Sequence, residues 1–306
     1  MNPMQMTLGQ TGIATSALAL GCARLGSALT PLSKRECLAL IDEAYALGVR
    51  HFDTASVYGQ GDSERYLGEA LQGRREQVCL STKAGQRLSA AQSVLARFKT
   101  PVRWLAARRG RLRHAVADRR ALGVPRCFEP DYIERSLHES LQRLRTDHVD
   151  LFYLHSPDAA VLGEPLLMAR IERMRREGLF RAFGVSCDEP EVAIAAAAHA
   201  AVQVVQFAFD EGPQGHALLA QMANRGKVAV LRGLVQPAAA AAAPGGTATA
   251  QDGDTLLSER FGRTLAVPAL GGVIVGTTNR QHLRDNVAAF ERAERRRAAS
   301  TCEVAP

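Results

Sequence analysis

Short, solidly apolar runs alternate along this chain with stretches whose apolar residues recur every three or four positions. The runs are SALALG (16–21), VRHFD (49–53), VCLSTK (78–83), VDLFYLH (149–155), RAFGVS (181–186), VQVVQF (202–207), KVAVL (227–231) and GGVIVG (271–276). Between them lie SKRECLALIDEAYALG (33–48), DYIERSLHESLQRL (131–144) and PLLMARIERMRREG (165–178), spaced as helices that lay one face on a sheet. Strands that are apolar on both faces belong to parallel sheets covered on both sides by helices. Eight such units favour a closed (β/α)8 barrel of the TIM type over an open doubly wound sheet, and 306 residues fit one such domain, 1–306. No GxGxxG follows the first run, which counts against a Rossmann domain. Ahead of the barrel, MTLGQTGIAT (6–15) reads as an N-terminal β-hairpin.

Two segments interrupt the alternation, each after the C-terminal end of a predicted strand. QPAAAAAAPGGTATAQDGD (236–254) reads as a loop from its composition. The other is a long basic insertion after the third barrel strand, from Gln86 to Cys127. It holds eleven basic residues and one acid, Asp118; its local charge of +10 exceeds the +7 of the whole chain, so the rest is slightly acidic. The basicity therefore belongs to one insertion and not to the fold.

The Ala-rich stretch from Ala193 to Phe209 is broken by His199, Gln203 and Gln206. It reads as a helix followed by a buried strand and not as a membrane span. Six scattered cysteines without a CxxC pair argue against a disulfide framework or a zinc site. MNPMQMTLGQTG has neither a basic start nor an apolar core, so no signal peptide is expected and the expected compartment is the cytoplasm.

The chemistry collects at strand ends. Asp53 closes the second run, Tyr58 follows five residues later, Lys83 closes the third run and His155 the fourth. Strand C-termini are where parallel barrels carry their active sites. Taken singly, each has an ordinary reading: Asp53 as a turn residue, Lys83 as a solvated charge, His155 as a satisfied polar group. Together they suit carbonyl reduction. A tyrosine near its ordinary pKa of ~10 is a poor proton donor until its surroundings tune it, and a nearby ammonium lowers that value. A carboxylate would fix the ammonium, and the imidazole would orient the carbonyl oxygen.

The stretch FDTASVYGQGDSERYLGEAL (52–71), with Ser63, Glu64, Leu67 and Gly68 at matching spacing, resembles the signature of the aldo-keto reductases. LGQTGIATSALALGCARLG is similar to that family's opening hairpin and first strand, and SLHESLQRLRTDHVDLFYLHSPD to the segment ending on its catalytic histidine. The resemblance implies a tetrad of Asp53, Tyr58, Lys83 and His155, with Tyr58 as general acid, and hydride exchange between a nicotinamide and an aldehyde, ketone or sugar. It implies that Ser186 and Gln206 hold the carboxamide and that Phe207 stacks on the nicotinamide ring. IVGTTNRQHLRDN resembles the phosphate-binding stretch, with Gly276, Thr277 and Thr278 in the loop and Asp285 and Asn286 at the adenine. Cys187 stands where the family usually has Asn. His282 stands where an arginine often meets the 2′-phosphate of NADPH, with Arg280 near enough to substitute. The implied cofactor is NADPH, with NADH use open.

Other readings remain beside this one. A barrel with the same residues would also serve as a non-catalytic, NADP-binding redox sensor. The insertion reads as a solvated excursion, as a lid recruiting an anionic substrate, or, through Val94, Leu95, Phe98, Val102 and Leu105, as a surface helix for an acidic membrane or partner, although Pro101 interrupts it. It has few aromatics and no recognised nucleic-acid motif, so binding to nucleic acid is not expected.

Overall fold

The computed structural model describes residues 5–27, 30, 32–87, 125–235 and 250–303. A two-stranded antiparallel hairpin, β1 (Gln5–Thr7) and β2 (Ala14–Ser16), precedes eight parallel strands. These are β3 (Leu18–Gly21), β4 (His51–Asp53), β5 (Cys79–Ala84), β6 (Val149–His155), β7 (Phe180–Ser186), β8 (Val204–Ala208), β9 (Val228–Arg232) and β10 (Leu270–Val275). They close in sequence order, β10 pairing with both β9 and β3. The eight apolar runs are the eight barrel strands. The insertion does follow the third of them, β5, but all except its margins, residues 88–124, lies outside the described residues, as does its proposed surface helix.

The helices are α1 (Lys34–Ala46), α2 (Asp62–Ala70), α3 (Pro130–Leu144), α4 (Pro165–Arg176), α5 (Pro190–Ala198), α6 (Pro213–Asn224), α7 (Ala250–Leu265) and α8 (Arg280–Glu303). Four of them start on proline, whose fixed φ and missing N–H suit the first helical position. Helix α1 starts instead with a capping box: Ser33 Oγ accepts from Glu36 N, and the Glu36 carboxylate accepts from Ser33 N at 2.7 Å. Helix α3 buries Ile133, Leu137, Leu141 and Leu144, and α4 buries Leu167, Ile171 and Met174, at the three- and four-residue spacing of the sequence. Each such burial contributes roughly 1.5–3 kcal/mol. One expectation changes. Residues 250–254, assigned to the loop from composition, open α7, while 236–249 lie outside the described residues. Among the described residues no helix is long and apolar enough to cross a membrane.

Successive strand residues face opposite sides, so each strand serves two cores. Phe52, Leu80, Phe152, Leu154, Phe183, Val205 and Leu231 pack with the helices. Ala19, Cys79, Leu151, Ala182, Val204, Val228 and Val230 form a separate cluster inside the barrel, joined by Leu8 and Ile13 from the hairpin. The hairpin therefore closes the N-terminal mouth. The fit is tight enough that a Cβ on Gly271 would collide with Val228 and come within 3.0 Å of Leu8. Farther along the same inward rows the residues turn polar. After Cys79 come Ser81 and Lys83; after Leu151 and Tyr153 comes His155; after Ala182 and Gly184, Ser186; after Val204, Gln206.

Candidate active site

Parallel register sets the polar rows side by side. Asp53 pairs with Ser81, His155 with Ser186, and Ser186 with Gln206. The loop after β4 is then fastened along β5, with Thr54 N donating to Ser81 O (2.9 Å) and Ser56 N to Lys83 O (3.1 Å). That fastening brings Tyr58, at the start of a kinked turn (Tyr58–Gly61) whose inner residues Gly59 and Gln60 are left-handed, back over the barrel mouth. Helix α2 holds the turn from behind. Ser63 Oγ donates to Cys22 O, while buried Glu64 accepts from Thr82 Oγ1 and from Arg143 Nε, both at 2.6 Å.

At the centre is an ammonium with no exposure. Lys83 Nζ lies 2.5 Å from Asp53 Oδ2 and donates to Thr54 O at 2.8 Å. The other carboxylate oxygen, Asp53 Oδ1, accepts from Ser81 Oγ and Gln206 Nε2, each at 2.9 Å, and Gln206 Oε1 accepts from Ser186 Oγ at 2.8 Å. Lys83 Nζ is 5.1 Å from the centre of the Tyr58 ring, which meets the His155 ring edge-on at 5.7 Å. The predicted tetrad and the predicted pair Ser186 and Gln206 thus form one connected cluster. At its margin Ser156 adopts φ +52°, a left-handed conformation that costs a non-glycine residue about 1–3 kcal/mol.

Burial raises the Tyr58 pKa above its ordinary value; Lys83 and Arg232 oppose that shift and Asp53 adds to it. The sequence suggests a lowered tyrosine, but here desolvation outweighs the neighbouring ammonium, and the phenol stays protonated at neutral pH. His155 moves the other way. Burial, then the charges of Lys83, Arg232 and Arg126, hold it well below the usual histidine range, so its imidazole is neutral. Its Nδ1 is buried without a hydrogen-bond partner among the described residues.

Phe207 stands apart from this cluster. It shares the face of Val205, packs into the barrel–helix core at 5% exposure, and lines a groove between α5 and α6. Arg232, not singled out in the sequence, continues the inward row of Val228 and Val230. Its guanidinium crosses the end of β8 to donate to Cys187 O (2.7 Å) and to pair with Asp188. Its place two residues beyond Val230 is the signal that would have found it.

The second predicted group lies where β10 hands over to α8. Gly276 is exposed, with no atom within 4 Å of where a Cβ would be, and Thr277 Oγ1 accepts from Asn279 N. Asn279 Oδ1 accepts from Gln281 N and His282 N, capping α8. Thr278 is half-buried, His282 exposed, Asn286 buried, and Asp285 accepts from Gln281 Nε2 at 2.8 Å. Arg280 and Arg284 both pair with Glu43 of α1.

Residues 17–211, well over half of the chain, match the sequence model of the aldo/keto reductase family. The chain belongs to that family. D-threo-aldose 1-dehydrogenase from a Pseudomonas species is 31% identical over 202 residues, and the NADH-specific methylglyoxal reductase of Escherichia coli is 29% identical over 188. Each match covers 60% of this chain but only 54% and 51% of those relatives, so the chain matches about half of their length. An aldo-keto reductase from Bacillus halodurans, 22% identical, superposes over 95% of both chains with a TM-score of 0.69 and shares the barrel.

Proposed function

We propose that this aldo/keto reductase is a nicotinamide-dependent enzyme that reduces an aldehyde or ketone to the alcohol, or runs the reverse, with Tyr58 as the proton donor. The observation that carries this is the buried ammonium. Lys83 needs a counter-charge to be tolerated out of water, and among the described residues Asp53 supplies it. Folding does not require that a phenol and a neutral imidazole also converge on that ammonium; proton transfer does.

When bound, a reduced nicotinamide supplies the hydride. Tyr58 gives its proton to the oxygen that becomes the alkoxide, leaving a phenolate beside Lys83, whose positive charge stabilises it. Asp53 keeps Lys83 in place, and Ser81 and Gln206 keep Asp53 in place. Neutral His155 offers a hydrogen bond to the same oxygen, an interaction that strengthens as charge develops there. In the reverse direction Tyr58 takes the proton back.

Ser186 and Gln206 suit the carboxamide, and Gly276, Thr277 and Thr278 the phosphates at the start of α8, with Asp285 and Asn286 at the adenine. Phe207 is left out of this set because it packs toward the helices. Arg280 and His282 would meet a 2′-phosphate, which is the basis for NADPH. Glu43 favours a second reading: it already engages Arg280 and Arg284, so NAD use is open too. Small aldehydes and sugars, the compounds named in the two relatives, are the first substrates to offer.

Turnover of an aldehyde and sugar panel, followed by nicotinamide absorbance, tests the reading. Tyr58→Phe should lower the rate about 10²–10⁴-fold with cofactor binding retained. Full activity in that variant, or no binding of either cofactor, sinks the proposal. Equal dissociation constants for NADPH and NADH would remove the preference for NADPH alone.

A further inference from the structure

Beside the Tyr58 turn a cavity of about 250 Å³ opens between the loop after β4, the first residues after β5 and the face of α3. Its walls carry Ser56, Val57 and Gln60, which flank Tyr58 in sequence, together with Arg87, Tyr132 and Arg135. Two guanidiniums converge there. The Arg87 Cζ is 5.4 Å from the centre of the Tyr132 ring, and the Arg135 Cζ is 6.0 Å from it. Neither pairs with a carboxylate among the described residues. The remaining cation of the wall, Arg143, is committed to Glu64 at 2.6 Å and Glu139 at 3.5 Å. Glu139, the carboxylate that lines the cavity, is therefore already shared with Arg143, and among the described residues Arg87 and Arg135, both close to the Tyr132 ring, have no carboxylate of their own.

Gln60 adds an independent sign. Its φ of +55° places a non-glycine residue in the left-handed region, and its buried Oε1 has no hydrogen-bond partner among the described residues. Each feature is unfavourable on its own. The two ends of an amide exchange by rotation about the last torsion, so the assignment of oxygen and nitrogen at this buried position is open to exchange. Two cations and a hydroxyl from Ser56 leave donors in excess over the single carboxylate, Glu139, that lines the cavity.

We propose that this cavity binds the oxyanion, phosphate or carboxylate, of an anionic aldehyde or ketone whose carbonyl is handled at Tyr58. The proposal rests on the reductase reading and names its substrate class. Arg87 follows the strand that carries Lys83, and Val57 adjoins Tyr58, so the handle and the reacting carbonyl are held by the same two chain segments. Arginine's planar fork suits either oxyanion, and a charge-assisted hydrogen bond of this kind changes affinity about tenfold or more.

The test compares glyceraldehyde 3-phosphate with glyceraldehyde, and succinic semialdehyde with butanal, in the full chain and in Arg87→Gln and Arg135→Gln. Both side chains are exposed, so the substitutions leave folding intact. Calorimetric titration with inorganic phosphate and with succinate reads the cavity without turnover. Wild type should favour the charged member of at least one pair about tenfold in kcat/KM, mainly through KM, and the pair concerned tells phosphate from carboxylate. Each variant should reduce that ratio about tenfold and weaken binding of the same probe. Probe binding that both variants lose, with no aldehyde turned over, supports the oxyanion site and overturns the reductase reading. Turnover with no charge preference and no probe binding does the reverse. An unchanged ratio in both variants also overturns the site.

Discussion

The two halves of the barrel interior are made by the same strands and the same alternating rows, yet they do opposite work. Toward the N-terminal mouth the inward residues are Cys79, Leu151, Ala182, Val204 and Val228, closed off by Leu8 and Ile13. Toward the other mouth the rows carry Ser81, Lys83, His155, Ser186 and Gln206, with Asp53 held among them. The first half is held by exclusion of water, the second by a charge pair and hydrogen bonds that satisfy one another. A row two residues longer passes from packing to chemistry, so the stability of one end supports the strain and buried charge of the other.

The largest effect should come from breaking the polar half. Lys83→Met leaves the Asp53 carboxylate buried and unpaired, and should cost about 3–5 kcal/mol in urea unfolding as well as abolishing reduction. Adding Asp53→Leu should return most of that stability without returning activity, since a buried ion pair exchanged for apolar groups is often neutral. Ser81 and Gln206, left without their acceptor, would hold back the remainder. A double variant as unstable as the single one would show that the pair stabilises the barrel outright. In the apolar half, Leu151→Ala should cost about 2–5 kcal/mol, while calorimetry finds cofactor affinity unchanged. An equal loss of affinity would mean that the halves are not separable.

His51 lies at the boundary, beside Ser81, and burial lowers its pKa to about 4. The unfolded chain, near 6.5, takes up the proton first, so the stability contributed by neutral His51 is complete above that pH and lost as pH falls toward 4. The loss amounts to about 3 kcal/mol. His51→Gln should flatten the dependence of unfolding free energy on pH between 6.5 and 4; an unchanged slope would place the effect elsewhere. The smallest effect belongs to Glu294, beneath the hairpin, raised to about 7 chiefly by burial. Its protonated form suits the fold, so its contribution is lost as pH rises from 4.5 through 7. Half-exposure limits the gain from Glu294→Gln at pH 8 to about 1 kcal/mol or less, with little change at pH 5. A gain at pH 5 as large as at pH 8 would contradict that account.

Much of this was legible because each barrel strand is buried on both faces and so appears as an unbroken apolar run. Asp53, Lys83 and His155 end three such runs, and that position alone put them at one mouth. Phe207 is set apart from the cluster for a reason of parity. In VVQFA the side facing the barrel axis depends on register with β7, and Gln206, paired with Ser186, takes it. Arg232 escaped because KVAVL stops one residue short of it. The start of α7 escaped because Gly253 and the alanines before it suggest a loop, and helix propensity is a weak guide against tertiary packing. The sign of the Tyr58 shift depends on desolvation, which a linear sequence does not display.

The hairpin plug has one more consequence. Side chains fill the barrel axis and the hairpin covers its N-terminal mouth, so whatever reaches Lys83 has only the opposite mouth to come and go by.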